Sequence, residues 1–302
     1  MSSMPPLAAD PGAIGRVPEA PFLVLPDAAK IFSRRALRFE RLAPGNPFAA
    51  FLRFMAALSR AQEAALASLP LPAAARLAAF PAKRLLDRRA LLEGREWRDA
   101  LAAIAETLDR AAMPADAAAA LRALCEQGEE KRAFLAGRVL DGAFAAKEGA
   151  EALFLVAALE VAWTREAGAF AADTVSAGET AACPVCGGPP FASLVCAEGE
   201  RAGLRYLVCA LCGSQWRHVR IKCIVCGGSK GIAYHAVAGK EGPAKAESCP
   251  QCKAYTKILY AEKDPAAEPM ADDLASLALD VLMNDTGWRR AFPNPFLSPG
   301  IA

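Results

Sequence analysis

Histidine is nearly missing from this chain: His218 and His235 are the only two among 302 residues. So little imidazole argues against ordinary acid–base catalysis and against hydrolytic metal centres built on histidine. Long apolar runs are missing too. The longest, Ala152 to Leu159, stops at Glu160. That is far short of the roughly 20 residues that span a bilayer, so no membrane insertion is expected. The opening Met1-Ser-Ser-Met-Pro-Pro has no charged stretch followed by an apolar one. A secretory signal is therefore not expected, and the chain reads as cytoplasmic. Strong charge is absent as well: the net value is +2, which argues against a general polyanion binder. P-loop and HExxH patterns do not occur. With 54% apolar and 23% charged residues the chain is not disordered, and its length suffices for one large or two modest domains with a real core.

Cysteine is what the sequence does have. There are ten, and eight of them form four Cys-x-x-Cys pairs within seventy residues. In a reducing compartment such pairs hold metal more often than they form disulfides. Shifting Cys183, Cys186, Cys209 and Cys212 by 40 positions gives Cys223, Cys226, Cys249 and Cys252. This internal repeat predicts two tandem four-cysteine sites. Two intervening residues let one tight turn aim both thiolates at one ion, and a second turn completes the tetrahedron. Gly187, Gly213 and Gly227 follow three of the pairs and supply the positive φ such a turn favours; Lys253 breaks the rule. Pro184 and Pro250 suit the same turns. Leu204 to Val208, Trp216 to Ile221 and Tyr255 to Tyr260 are β-prone runs suited to ribbon hairpins. An interleaved cross-brace would use the same eight residues. One metal ion per site is expected, two per chain, and four thiolates suit iron and zinc alike. A thioredoxin-like role is disfavoured, because it needs one pair at a helix start.

Other residues read more plainly. Cys125, in an Ala/Leu-rich helical stretch, is expected to be a small buried core residue, and Cys196 is expected to stand apart from the ligands. His218 and His235 are expected to be spare, since each site already has four thiolates. Between Cys183 and Glu262 ten Lys/Arg face five Asp/Glu. Eight thiolates and two divalent ions reduce that surplus to about +1, or about +3 with trivalent iron, which argues against a nucleic-acid-binding ribbon. Tyr206, Trp216, Tyr234 and Tyr255 could stack bases but equally pack a ribbon core.

The rest of the chain divides around the cysteines. Residues 1–30 read as an extended arm and 31–172 as an α-helical domain of six or so helices. Residues 173–222 and 223–302 carry the first and second metal modules, the latter with a C-terminal helix and tail. Asn46 and Pro47 mark a helix start. Phe48, Phe51, Leu52, Met55 and Leu58 share one face, as do Trp97, Leu101, Ile104 and Leu108. Further helices are expected near 115–126, 130–145 and 149–169. A Gly/Ser/Thr-rich linker is expected at about Ala171 to Ala182. Leu274, Leu277, Ala278, Val281 and Leu282 mark the C-terminal amphipathic helix. Asp272 and Asp273 in its first turn complement the helix dipole or form an acidic partner contact. Arg34, Arg35, Arg38 and Arg41 read as a solvated face, or as a contact for an anionic partner. An exposed apolar helix face leaves a homodimer open. The fold class is α+β: an N-terminal helical bundle, then two tandem rubredoxin-like or zinc-ribbon modules.

Several strings resemble a known family. Arg205 to Cys223, Glu247 to Tyr260, Ala271 to Asp280, Asn294 to Gly300 and Phe32 to Arg38 are similar to the formate dehydrogenase accessory proteins called FdhE. The resemblance covers nearly the whole chain beyond the first twenty or so residues. It implies a cytoplasmic, non-enzymatic maturation factor that engages the catalytic subunit of formate dehydrogenase. It also implies two iron-binding rubredoxin-like modules, with the eight paired cysteines as ligands. A rubredoxin-like electron carrier and a zinc-ribbon nucleic-acid binder are the alternatives.

Overall fold

The computed structural model describes residues 20–72, 85–171, 178, 180–239 and 242–297. Most of the expected arm, most of the expected linker and the last residues of the tail lie outside them. Seven described helices precede the cysteines: α1 (Ile31–Leu42), α2 (Ala49–Ser68), α3 (Arg88–Glu93), α4 (Glu96–Thr107), α5 (Ala115–Glu126), α6 (Glu129–Leu140) and α7 (Gly149–Ala167). Helix α7 carries the longest apolar run and is buried on nearly every side, so it has no strong amphipathic stripe. It packs against α2, α4, α5 and α6. Leu52, Met55 and Leu58 of α2 and Trp97, Leu101 and Ile104 of α4 meet it in one core, as their spacing predicts. Asn46 lies ahead of the helix and not at its N-cap, because α2 begins at Ala49, two residues later than Asn46 and Pro47 predict. The Asn46 side chain accepts from Phe48 N at 2.9 Å and donates to the Ala275 carbonyl at 2.9 Å, which turns the chain into α2.

The second half is one sheet of two joined ribbons. Strands β2 (Pro190–Val195), β3 (Arg205–Cys209) and β4 (Gln215–His218) form the first antiparallel ribbon. Strands β5 (Ala233–His235), β6 (Ala244–Cys249) and β7 (Ala254–Tyr260) form the second. The 40-residue repeat carries β2 onto β5, β3 onto β6 and β4 onto β7. The ribbons join by parallel pairing of β2 with β7, Ala192 opposite Lys257, so the second continues the first. A short strand β1 (Leu23–Val24) pairs with β4, and β8 (Arg289–Arg290) pairs with β7.

The C-terminal helix is broken. Helix α8 (Pro269–Ala275) ends at Ser276, and α9 (Leu277–Asp285) starts anew. The break resets the helical phase. Leu274 and Leu277 are buried as expected, but Val281 and Leu282 face outward, while Leu279, Asp280 and Met283 face in. Among the described residues no helix is long and apolar enough to cross a membrane.

Two groups read as surface are instead buried. Asp272 and Asp273 are 3% and 0% exposed, so an acidic contact point for a partner is not available there. Arg38 grips Asp272 with two hydrogen bonds of 2.9 and 2.6 Å, and adds Asp264 at 2.7 Å. Asp273 takes Arg290 at 2.6 Å and Asn294 at 2.7 Å, with Lys257 at 3.5 Å. Arg35 joins Glu160 of α7 at 2.8 Å and Glu268 at 3.5 Å, and Gln62 also donates to Glu160. Thus Arg35 and Arg38 are not on a solvated face; Arg34 and Arg41 are. Opposite charges from elements far apart in sequence neutralise one another here, which is the condition for burying them.

Candidate metal centres

The two ribbons end in four turns, and the turns bring the eight paired cysteines together. Cys183, Cys186, Cys209 and Cys212 form one group; Cys223, Cys226, Cys249 and Cys252 form the other, each with its sulfurs within 4.8 Å of one another. Sequential pairing therefore replaces the cross-brace alternative. Each turn is built alike. Cys183 N donates to Gly188 O and Gly187 N to Cys183 O, both at 2.8 Å. Forty residues on, Cys223 N donates to Gly228 O at 2.8 Å and Gly227 N to Cys223 O at 3.0 Å. Gly187, Gly213 and Gly227 have φ of 74°, 72° and 74°. Lys253 takes the same left-handed conformation, φ 57°, without being glycine. Its carbonyl accepts from Arg289 N, and its ammonium lies 5.5 Å from the Trp288 ring.

The sulfur spacing fits a tetrahedral ion. A metal–sulfur bond of about 2.3 Å requires sulfurs about 3.8 Å apart. Here Cys183–Cys212 is 3.6 Å, Cys186–Cys209 3.4 Å, Cys223–Cys252 3.7 Å and Cys226–Cys249 3.6 Å. Backbone N–H groups point at the sulfurs: Gly188 N to Cys186 and Leu211 N to Cys209, each at 3.4 Å. These donors favour thiolates and fix their direction. A Cβ at position 188 would lie 3.3 Å from Cys186 Sγ, so glycine lets the backbone close over the sulfur.

Ionisation follows the same geometry. Hydrogen bonds from Cys183, Cys209 and Cys212, with the Gly188 N–H, hold Cys186 well below the usual thiol range despite its burial. Burial pushes Cys183 and Cys212 well up. In the second site burial lifts Cys223 to about 12. Burial also opposes ionisation of Cys249, but the backbone N–H groups of Cys252 and Gln251 and the neighbouring thiols outweigh it and bring Cys249 down to about 7. A metal takes these cysteines as thiolates, so binding an ion in either cluster releases protons.

The two sites differ in their surroundings. All four cysteines of the first are buried in the main core, beside Val185, Leu207 and Trp216. Leu86 N bonds to Val185 O at 2.9 Å, which ties the first turn to the helical side. In the second site Cys226 is exposed and Cys252 half-buried. That module has a small core of its own, Ala246, Tyr255, Leu279 and Met283.

Other residues are now placed. Cys125 is exposed, not in the core: α5 buries Leu121 and Leu124, and the next position turns outward. Cys196 is buried apart from both clusters, as expected. His218 lies on β4, and His235 Nε2 meets Ser248 Oγ at 2.8 Å; neither joins a cluster. Tyr206, Trp216 and Tyr255 are buried and pack the core; Tyr234 is exposed. Gly227 to Gly231 spells G-x-S-x-G. Its Ser229 is exposed in the loop after Cys226, without the strand-to-helix elbow that activates such a serine.

Fold and donor sets together define the class: a helical domain fused to a double four-thiolate ribbon. The chain belongs to the FdhE family. Family models match residues 20–179 (FdhE, N-terminal), 182–220 (FdhE, central domain) and 221–297 (FdhE, C-terminal domain). A Protein FdhE homolog of Rhizobium meliloti (strain 1021) is 37% identical over 305 residues, covering 98% of this chain and 99% of the relative. Another, of Edwardsiella ictaluri (strain 93-146), is 40% identical, covering 96% and 94%. The crystal structure of the FdhE protein from Pseudomonas aeruginosa superposes with a TM-score of 0.81 at 35% identity, over 93% of this chain and 100% of that one.

Proposed function

We propose that this chain is a cytoplasmic accessory protein for assembly of active formate dehydrogenase. It binds the catalytic subunit, performs no catalysis itself, and holds one iron or zinc ion in each four-cysteine site. The ligands are Cys183, Cys186, Cys209 and Cys212, and Cys223, Cys226, Cys249 and Cys252. The carrying observation is that both tetrathiolate clusters are complete, at tetrahedral spacing, in a chain that matches FdhE proteins almost end to end. Four thiolates fill a tetrahedral shell and leave no position for a substrate, which favours holding or electron transfer over hydrolysis. The exposed Cys226 favours a second reading, a rubredoxin-like electron carrier, if the bound metal is iron.

Deletion of the gene in a host that makes formate dehydrogenase tests the first reading. Enzyme activity is expected to be lost while the subunits accumulate normally, and the full chain is expected to restore it. Intact activity after deletion overturns the reading.

A further inference from the structure

Resting on that reading, we propose that a cavity beside the first four-cysteine site receives an extended apolar segment of the partner protein, anchored by an acidic side chain on Arg88. The cavity holds about 600 Å³ and lies where α6, α7, the first ribbon and the chain after β8 meet. Leu140, Phe144, Val156, Leu211, Phe292 and Pro295 make its walls apolar. Gly188 and Ala210, each beside a cluster cysteine, also line it. It does not end there. A shallower groove of about 350 Å³ shares Arg88, Leu140 and Asp141 with it and runs on past Leu86 to Cys186. Two hollows that share Arg88, Leu140 and Asp141 adjoin, which suits an extended chain better than a compact molecule. The size and mainly apolar lining of the cavity are those of binding sites generally, whereas the groove is charged, with Asp87, Arg88, Arg89 and Asp141 along it.

The polar groups decide what the segment carries. Arg290 and Asn294 line the cavity but already hold Asp273 and, for Arg290, Asp280. Arg89 pairs with Asp141 at 3.6 Å. Arg88 differs. One of its Nη groups donates to the Leu140 carbonyl, but its Nε–H is buried and has no acceptor among the described residues. Arg88 lines both hollows and no carboxylate among the described residues pairs with it, so a carboxylate entering between them would take a charge-assisted bond from its guanidinium. The site also explains how a partner could sense the first metal module, since Gly188 and Leu211, whose N–H groups point at Cys186 and Cys209, form part of its wall.

The test uses the full chain carrying photoreactive benzoyl-phenylalanine at Phe144 or at Leu211, co-produced with tagged formate dehydrogenase catalytic subunit. Leu282, exposed and outside the cavity, is the control position. Both cavity positions are expected to cross-link to one apolar, acid-containing segment of the subunit. Arg88→Glu is expected to lower the yield roughly tenfold at unchanged helical signal and metal content, because it sets like charges together. Arg88→Lys is expected to retain part of it. If the subunit co-purifies but neither cavity position cross-links, the cavity proposal is overturned and the proposed function stands. Cross-links to a segment without Asp or Glu, or an unchanged yield with a folded Arg88→Glu chain, overturn the anchor. If the subunit does not co-purify at all, both fall. The mapping decides the matter even where Arg88→Glu fails to fold.

Discussion

Challenged with a chelator in native buffer, the metal-loaded chain is expected to release one ion quickly and hold the other until it unfolds. The fast ion belongs to the second site. There Cys226 is open to solvent and Cys252 half-buried, so a competing ligand can reach the sulfurs directly. At the first site all four sulfurs are buried in the core that includes Leu207 and Trp216. Reaching them requires local opening. If that opening costs about 3 kcal/mol, release slows by roughly a hundredfold. Cys226→Ser is expected to remove the fast phase and leave the helical circular dichroism intact. Cys186→Ser is expected to remove the slow phase and lower thermal stability, because that cluster is part of the main core. Release of both ions at one rate in the unaltered chain would show that burial does not control access.

Asp273→Ala is expected to be among the most damaging single changes outside the cysteines. Asp273 is wholly buried and is held by Arg290, Lys257 and Asn294. Removing it leaves Arg290 and Lys257 with Asp280 as their shared partner. The expected cost is about 3–5 kcal/mol, read by urea unfolding of the metal-loaded chain. Asp285→Ala, at an exposed helix end, is expected to stay within about 0.5 kcal/mol. A similar, small loss for both would mean that the buried pairs contribute nothing specific. The network also predicts an acid limb. Burial opposes the charge on Asp273, but Arg290 and Lys257 outweigh it and hold the carboxyl below its usual range. A carboxyl lowered on folding stabilises above its unfolded pKa of about 3.9, and the gain is lost as pH falls through the lower folded value. The unaltered chain therefore loses this contribution progressively as pH falls below about 4, and Asp273→Ala lacks that part of the profile.

The metal clusters were legible because their information is local. A Cys-x-x-Cys pair is one turn, and a repeat of 40 residues needs no tertiary contact to be seen. Helix α5 was legible at both ends for a similar reason, with Pro114 before it and Gly128 just after. The charged centre was not legible. Arg38 and Asp272 lie 234 positions apart, and each taken alone looks like a solvated charge at a helix surface. Nor did local pattern reveal the parallel pairing of β2 with β7, which joins strands more than sixty residues apart in a direction no hairpin imposes. The face of α9 was not legible because Ser276 interrupts the helix, and the apolar period before it does not carry across. Asp280 also takes an inward position, where Tyr255 donates to it at 2.8 Å and Arg290 at 3.1 Å.

The most direct measurement is metal content per chain, with an absorption spectrum, on protein purified without oxygen. Two ions per chain are expected, falling to one with Cys226→Ser. If the ions are iron, a visible thiolate band that bleaches on reduction accompanies them; if they are zinc, the sample is colourless. Protein that is folded, with all ten thiols free to react and no bound metal, would contradict the account at its centre.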